Sequence, residues 1–231
     1  MRTAANRYYE HVPFNPFAHI QIRTDPPRGT WRQGPYADVI AVIEACTGQY
    51  TSRVGWQAFI VLQRFAGFRK CESLSLRKQD VNLTADPMLI KVDCSKTARV
   101  KGGRYRVVPV LFAILGQLLI QAIGESDPAD LYVVSSEDAR GKGAQQVTMR
   151  RLFKRAGVRP WKPLFQVPRP SCEYDMLKLG MPEAIYTKAI GHNSEVSRRY
   201  YIERFQGVDP DEFTRVEFKV TAPKAKEIYA L

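Results

Sequence analysis

Between Met88 and Val110 the chain alternates twice, and no other stretch limits its fold as tightly. Ile90, Val92 and Cys94 fall on one side of the first segment and Leu89, Lys91 and Asp93 on the other, and Arg104 to Val110 repeats the pattern up to Pro109. The intervening Ser95 to Gly103 is polar, with Lys96, Arg99, Lys101 and two glycines. Period-two segments joined by a glycine-bearing turn read as an antiparallel β-hairpin, here with a cationic tip. The segments around it have helical period, so the expected class is α+β: mainly helical, with a small antiparallel sheet.

Residues 1 to 34 are rich in Pro, Arg, Gly and aromatics without either period and read as an arm or linker. Tyr36 to Thr47 reads as a short amphipathic helix with Val39, Ile40, Val42 and Ile43 on its apolar side. Thr51 to Phe65 reads as a longer helix bearing Trp56, Phe59, Ile60 and Leu62, closed by Gly67. Beyond the hairpin, Leu111 to Ile123 is apolar enough for a buried helix, and Leu131 to Val134 reads as a short β segment. Gln145 to Ala156 places Met149, Leu152 and Phe153 on one side of a helix and Arg150, Arg151, Lys154 and Arg155 on the other. Prolines 160, 163, 168 and 170 break the following stretch; helix is expected again from about Ser171 to Gly180 and from Pro182 to Ile190.

The chain has 231 residues and is 45% hydrophobic, enough for a proper core. Lysine and arginine outnumber acidic residues 35 to 23, a net charge of +12. That excess makes a polyanion the leading partner. No apolar run is long enough to span a membrane and no signal-peptide core is present, which favours nucleic acid over anionic lipid. The four cysteines show no C-x-x-C pairing and the three histidines do not group with them, so no metal site is expected. Reduced thiols fit a cytoplasmic, nucleoid-associated setting. No Walker loop, G-x-G-x-x-G or magnesium-binding carboxylate cluster occurs, and no cofactor is expected.

Ala189 to Tyr201 brings together the residues with chemistry. His192 precedes a helix expected from Ser194, and Arg198, Arg199, Tyr200 and Tyr201 lie about two turns along it. One imidazole, a phenol and several cations can then face one spot. A tyrosine hydroxyl, with a pKa near 10, needs positive charge or a base to become a nucleophile. A helix-ending glycine, a loop histidine and a tyrosine-rich helix also occur in many folds without function. Arg69 and Glu72, three apart, share a helical face and can pair.

Taken in order, four motifs resemble the catalytic domain of the tyrosine recombinases, the phage-integrase family, from about Tyr36 to Phe213. Phe65 to Glu72, followed by Leu74, Leu76 and Asp80, looks like the box of the first catalytic arginine, here Arg69. Ser95-Lys96-Thr97, closing on Arg106 to Pro109, looks like the hairpin of the catalytic lysine. Gln166-Val167-Pro168-Arg169 occupies the place of the His-x-x-Arg box, and Gly191-His192 leads to the tyrosine. The family spacing of nine residues beyond the histidine falls on Tyr201, not Tyr200.

The resemblance implies site-specific cleavage and rejoining of double-stranded DNA through a 3′-phosphotyrosyl intermediate, without metal or ATP. Tyr201 would be the nucleophile, Arg69 and Arg169 the clamps on the phosphate oxygens, His192 a further donor to phosphate and Lys96 the acid for the departing 5′ oxygen. Glu72 would buttress Arg69. The cationic residues Arg99, Lys101, Arg104, Arg150 and Arg151 are candidates for contact with DNA. Gln166 stands where most members have histidine and cannot take a proton, so slow or absent cleavage is the alternative: a recombinase-derived DNA-binding module lacking the core-binding domain. The expected division is an arm or linker at 1–34, a catalytic domain at 35–206 and a tail at 207–231, with self-association into a dimer or tetramer on DNA and no membrane contact.

Overall fold

One helix is buried on every side. In the computed structural model, which describes residues 34–47, 53–94, 104–134, 144–192 and 197, the helix Arg53–Phe65 is buried from Gly55 to Phe65. A helix enclosed all round must satisfy its polar side chains internally. Gln57 Nε2 donates to the Ile43 carbonyl at 3.2 Å and Gln63 Nε2 to the Phe59 carbonyl at 3.2 Å. Arg64, 1% exposed, reaches the Gly34 carbonyl through Nε at 3.1 Å and Asp175 through Nη1 at 2.5 Å.

In chain order the described helices are α1 (Tyr36–Glu44), α2 (the helix just described), α3 (Lys70–Ser75), α4 (Ala113–Glu125), α5 (Ala144–Arg155), α6 (Pro168–Lys178) and α7 (Glu183–Ile190), with a 3₁₀ turn at Lys78–Asp80. α2 packs against α1, α3, α4 and α6. The core runs through Val39, Val42, Trp56, Phe59, Leu62, Leu115, Leu119, Phe153 and Met176. Edge-to-face aromatic contacts join distant segments, as between Phe59 and Phe165 at 6.1 Å between centroids. No helix among the described residues is long and apolar enough to cross a membrane.

The sheet has three antiparallel strands, β1 (Val81–Asn82), β2 (Leu89–Asp93) and β3 (Tyr105–Pro109), in the order β1-β2-β3. Ile90 pairs with Val108 and Val92 with Arg106, and all four side chains lie on the buried face. Lys91, Tyr105 and Val107 point outward. The alternation was therefore read in the correct phase, and it delivers an arginine into the core.

The mainly helical α+β class is the one observed. Two local readings differ from expectation. The Leu131 to Val134 stretch makes only one isolated bridge, Tyr132 to Arg77, because β1 fills the sheet edge position beside β2. The helix expected from about Ser171 starts at Pro168, which puts Arg169 in its first turn, where a proline lacking N–H costs no hydrogen bond. Arg69 and Glu72 do pair, with Arg69 as the N-cap of α3 and its backbone N–H also donating to Glu72 at 2.8 Å. The hairpin tip with Lys96, Arg99 and Lys101, and the segment with Arg198 to Tyr201, lie outside the described residues.

Two glycines test this packing with opposite sign. Gly67 has φ +64° and an added Cβ would collide with Ile190 Cδ1, so Gly67→Ala is expected to destabilise by on the order of 3 kcal/mol. Gly124 in α4 has open space around it, and Gly124→Ala is expected to stabilise by about 0.5 kcal/mol. Urea unfolding of both variants against the parent checks the pair.

Candidate active site

A single carboxylate collects arginines from three elements. Glu72, 4% exposed in α3, receives Arg69 Nη1 on Oε1 at 2.7 Å. Arg106, on β3, grips both of its oxygens, Nη1 to Oε1 at 3.0 Å and Nη2 to Oε2 at 2.8 Å. Arg169, on α6, places Nη1 3.8 Å from Oε2. Three guanidinium groups thus converge on one carboxylate. Burial pushes the Glu72 carboxyl up, but the hydrogen bonds and charge of Arg106, the Arg69 N–H and the Arg169 charge outweigh it and hold it at about 2. Burial lowers the Arg106 pKa, and the Glu72 bonds and charge raise it by more, for a net rise.

Helix ends supply further partners. Arg169 donates through Nη1 to the Gly67 carbonyl at 2.7 Å and through Nη2 to the Ile190 carbonyl at 2.5 Å. Arg106 Nε donates to the Ala189 carbonyl at 2.9 Å. Gly67 follows the end of α2, and Ala189 and Ile190 end α7, so both cations sit at negative helix termini. Each of those ends requires a left-handed glycine. Gly67 turns its carbonyl inward with no room for a side chain, and at Gly191, φ +84°, an added Cβ would stand 3.1 Å from Arg106 Cδ.

His192 follows that second cap. Its backbone N–H donates to the Thr187 carbonyl at 3.1 Å, and its Nε2 lies 3.0 Å from Glu173 Oε1. Glu173 also accepts a hydrogen bond from the Ser197 hydroxyl. Gln166 is exposed near the start of α6, on a hollow of about 280 Å³ lined also by Lys70 and Phe165. Arg150 and Arg151 are exposed on α5. Arg104 is exposed at the start of the β3 strand, 3.7 Å from Asp93, and borders a cleft of about 460 Å³ that also reaches Glu72, Arg77 and Lys91.

The structure thus brings Arg69, Glu72 and Arg169 together and sets His192 two residues beyond the Ile190 carbonyl that Arg169 holds. Lys96, Tyr201, Arg99 and Lys101 lie outside the described residues. Arg106 and Glu173 were not singled out from the sequence as members of the cluster. For Arg106 a signal existed: it shares strand parity with Val108 on the inward face. For Glu173 it was the four-residue spacing from Arg169 on one helix.

Residues 37–206 match the family model of the phage integrase family. The chain belongs to this family. Its fold is that of the tyrosine recombinase catalytic domains. XerA recombinase superposes with a TM-score of 0.60 at 19% identity, over 92% of this chain and 73% of XerA. The catalytic domain of bacteriophage HP1 integrase gives 0.52 at 16% identity, over 74% of this chain and 86% of that domain. XerH recombinase, in a pre-cleavage complex with its difH substrate, gives 0.54 at 20% identity, over 82% of this integrase-family chain and 55% of XerH. No curated protein sequence matches it.

The Glu72 cluster makes a pH-dependent stability prediction. Its carboxyl titrates near 4.5 unfolded and at about 2 folded, so its contribution is complete above pH 4.5 and is lost as pH falls toward 2. The shift corresponds to roughly 3 kcal/mol. Glu72→Gln is therefore expected to be less stable than the parent at pH 7, and the gap should narrow by about that amount between pH 5 and pH 2. Urea unfolding of both proteins across this range measures it.

Proposed function

We propose that this integrase-family chain cleaves and rejoins duplex DNA by transesterification, with Tyr201 as nucleophile and a 3′-phosphotyrosyl intermediate. The observation that carries the reading is the convergence of Arg69 and Arg169 on Glu72, from positions 100 residues apart in sequence. XerH complexes with its difH substrate, one pre-cleavage and one post-cleavage, support DNA as the substrate by fold likeness.

On this reading the phosphodiester presents its non-bridging oxygens to the arginines. Attack by the tyrosine oxygen makes phosphorus five-coordinate and adds negative charge to those oxygens. Guanidinium groups held in place beforehand stabilise that charge without reorganising. Arg69 is one-quarter exposed and so faces solvent as well as Glu72, whereas Arg169 is buried and braced by two carbonyls. Arg69 is the direct clamp, and Arg169 the deeper charge. Arg106 and Glu72 hold both in register. Lys96, from the hairpin, protonates the departing 5′ oxygen. The bond energy stays in the phosphotyrosyl ester, so a second strand's 5′-hydroxyl can reverse the step. The catalytic unit is proposed to be residues 35–206, with exposed Arg104, Arg150 and Arg151 and the tip cations Arg99 and Lys101 on DNA phosphates.

A nicked suicide duplex tests this. The protein is expected to become covalently attached to DNA, Tyr201→Phe to give no adduct, and Arg69→Ala to slow attachment by about 10²- to 10³-fold. DNA retention with no adduct at high protein and long times would instead establish a non-cleaving DNA-binding module, the reading that Gln166 favours. Binding itself should be steeply salt-dependent: with roughly 6 to 10 phosphate contacts, affinity falls about 10³- to 10⁵-fold between 50 and 200 mM salt. A titration that stays flat over that range rules out the electrostatic part.

A further inference from the structure

Arg106 does more than neutralise Glu72. It sits in mid-strand, 9% exposed, with every nitrogen of its guanidinium engaged. Nη1 and Nη2 form a fork on the two Glu72 oxygens, at 3.0 and 2.8 Å, and Nη1 also lies 2.8 Å from Cys94 Sγ, just past the end of β2. Nε, on another edge of the group, donates to the Ala189 carbonyl at 2.9 Å. Three elements, α3, the sheet and α7, thus meet on one planar group.

Planarity gives this meeting its consequence. The N–H groups of a guanidinium are fixed relative to one another, so turning the fork on Glu72 also turns the Nε–H that holds Ala189. Ala189 lies in the last turn of α7, where carbonyls have run out of helical partners. Gly191 caps that turn with φ +84°, and an added Cβ there would stand 3.1 Å from Arg106 Cδ, so cap and arginine are packed together. The backbone N–H groups of Gly191 and His192 both donate to the Thr187 carbonyl, at 2.7 and 3.1 Å, which ties His192 to the same helix end. A second connection runs from Glu72 through Arg169 to the Ile190 carbonyl, but its 3.8 Å contact with the carboxylate is longer than either bond of the Arg106 fork.

The geometry points to Arg106 as a positioning residue that couples two parts of the site: through its one rigid guanidinium, the Glu72 carboxylate sets the end of α7 and with it the backbone of His192. The group that neutralises Glu72 beside Arg69 is then also the group that fixes where the histidine stands relative to them. A lysine in its place would keep the charge and lose the coupling, because a single ammonium nitrogen replaces three nitrogens held in one plane. The value of the coupling for catalysis rests on the transesterification reading; the coupling itself does not.

Amide hydrogen exchange reads the coupling directly. In Glu72→Gln, which leaves the Ala189 carbonyl and its donor in place, the Gly191 and His192 amides are expected to exchange about tenfold faster after correction for the change in the slowest amides of α2. In Arg106→Lys they should be equally fast, and adding Glu72→Gln to that variant should change them little. Amides that do not respond to Glu72→Gln beyond the α2 correction overturn the proposal. So does a response just as large in the Arg106→Lys background, which would assign the connection to Arg169. If Arg106→Lys does not fold, the Arg106 side-chain Nε–H, followed by ¹⁵N-arginine labelling, decides. It should exchange faster in Glu72→Gln together with the two amides, and amides that speed up without it overturn the proposal. In the suicide-duplex assay Arg106→Lys should attach to saturating DNA about tenfold or more slowly, with affinity near the parent value. A parental rate, or a loss that only follows melting temperature, overturns the positioning role. A parent that forms no adduct removes the transesterification reading and leaves the exchange result to decide the coupling.

Discussion

Everything in the candidate site leans on the Glu72 carboxylate. Bringing guanidinium groups out of water costs several kcal/mol per ion, and like charges this close repel. Arg106, fully engaged with both oxygens, neutralises Glu72 by itself. The pair then acts as a rigid polar block against which Arg69 and Arg169 are set, each in contact with the same carboxylate. Such a block is costly if stability is the only criterion, since a well-packed apolar replacement is often as stable. An anion that brings its own negative charge into the cluster changes that balance.

The arginines are placed by backbone as much as by side chains. The ends of α2 and α7 offer carbonyls that have no further helical partner, and left-handed glycines turn these ends toward the site. Arg169 and Arg106 satisfy them. A cluster built this way has its orientation settled in advance, because moving either guanidinium would strip partners from a helix end. The same arrangement explains why Gly67 and Gly191 stand within reach of the site residues while neither bears any chemistry.

Legibility from sequence followed the physics of each feature. The helices and the hairpin announced themselves by period, and Ile90 and Val92 fell on the face their alternation predicts. Arg169, Glu72 and His192 were reached through ordered motifs. Arg106 was read only as part of a hairpin ending, because an arginine in a strand ordinarily marks the solvent side; what overrides this is a carboxylate from α3, distant in sequence. Glu173 was missed for a related reason. A glutamate mid-helix reads as surface, and only the fold brings His192 and Ser197 over it. The depth of α2 was also illegible, since Gln57, Gln63 and Arg64 look polar until their internal partners are known.

Magnitudes decide how much weight the glutamine at position 166 can bear. A general base contributes about 10²- to 10⁴-fold, and one preorganised donor to a developing oxyanion about 10²- to 10³-fold. Losing the base alone therefore leaves a reaction slowed but measurable, provided the charge-stabilising groups stay in place. Here they do: Arg69 and Arg169 converge, and Glu72 with Arg106 keeps them from separating.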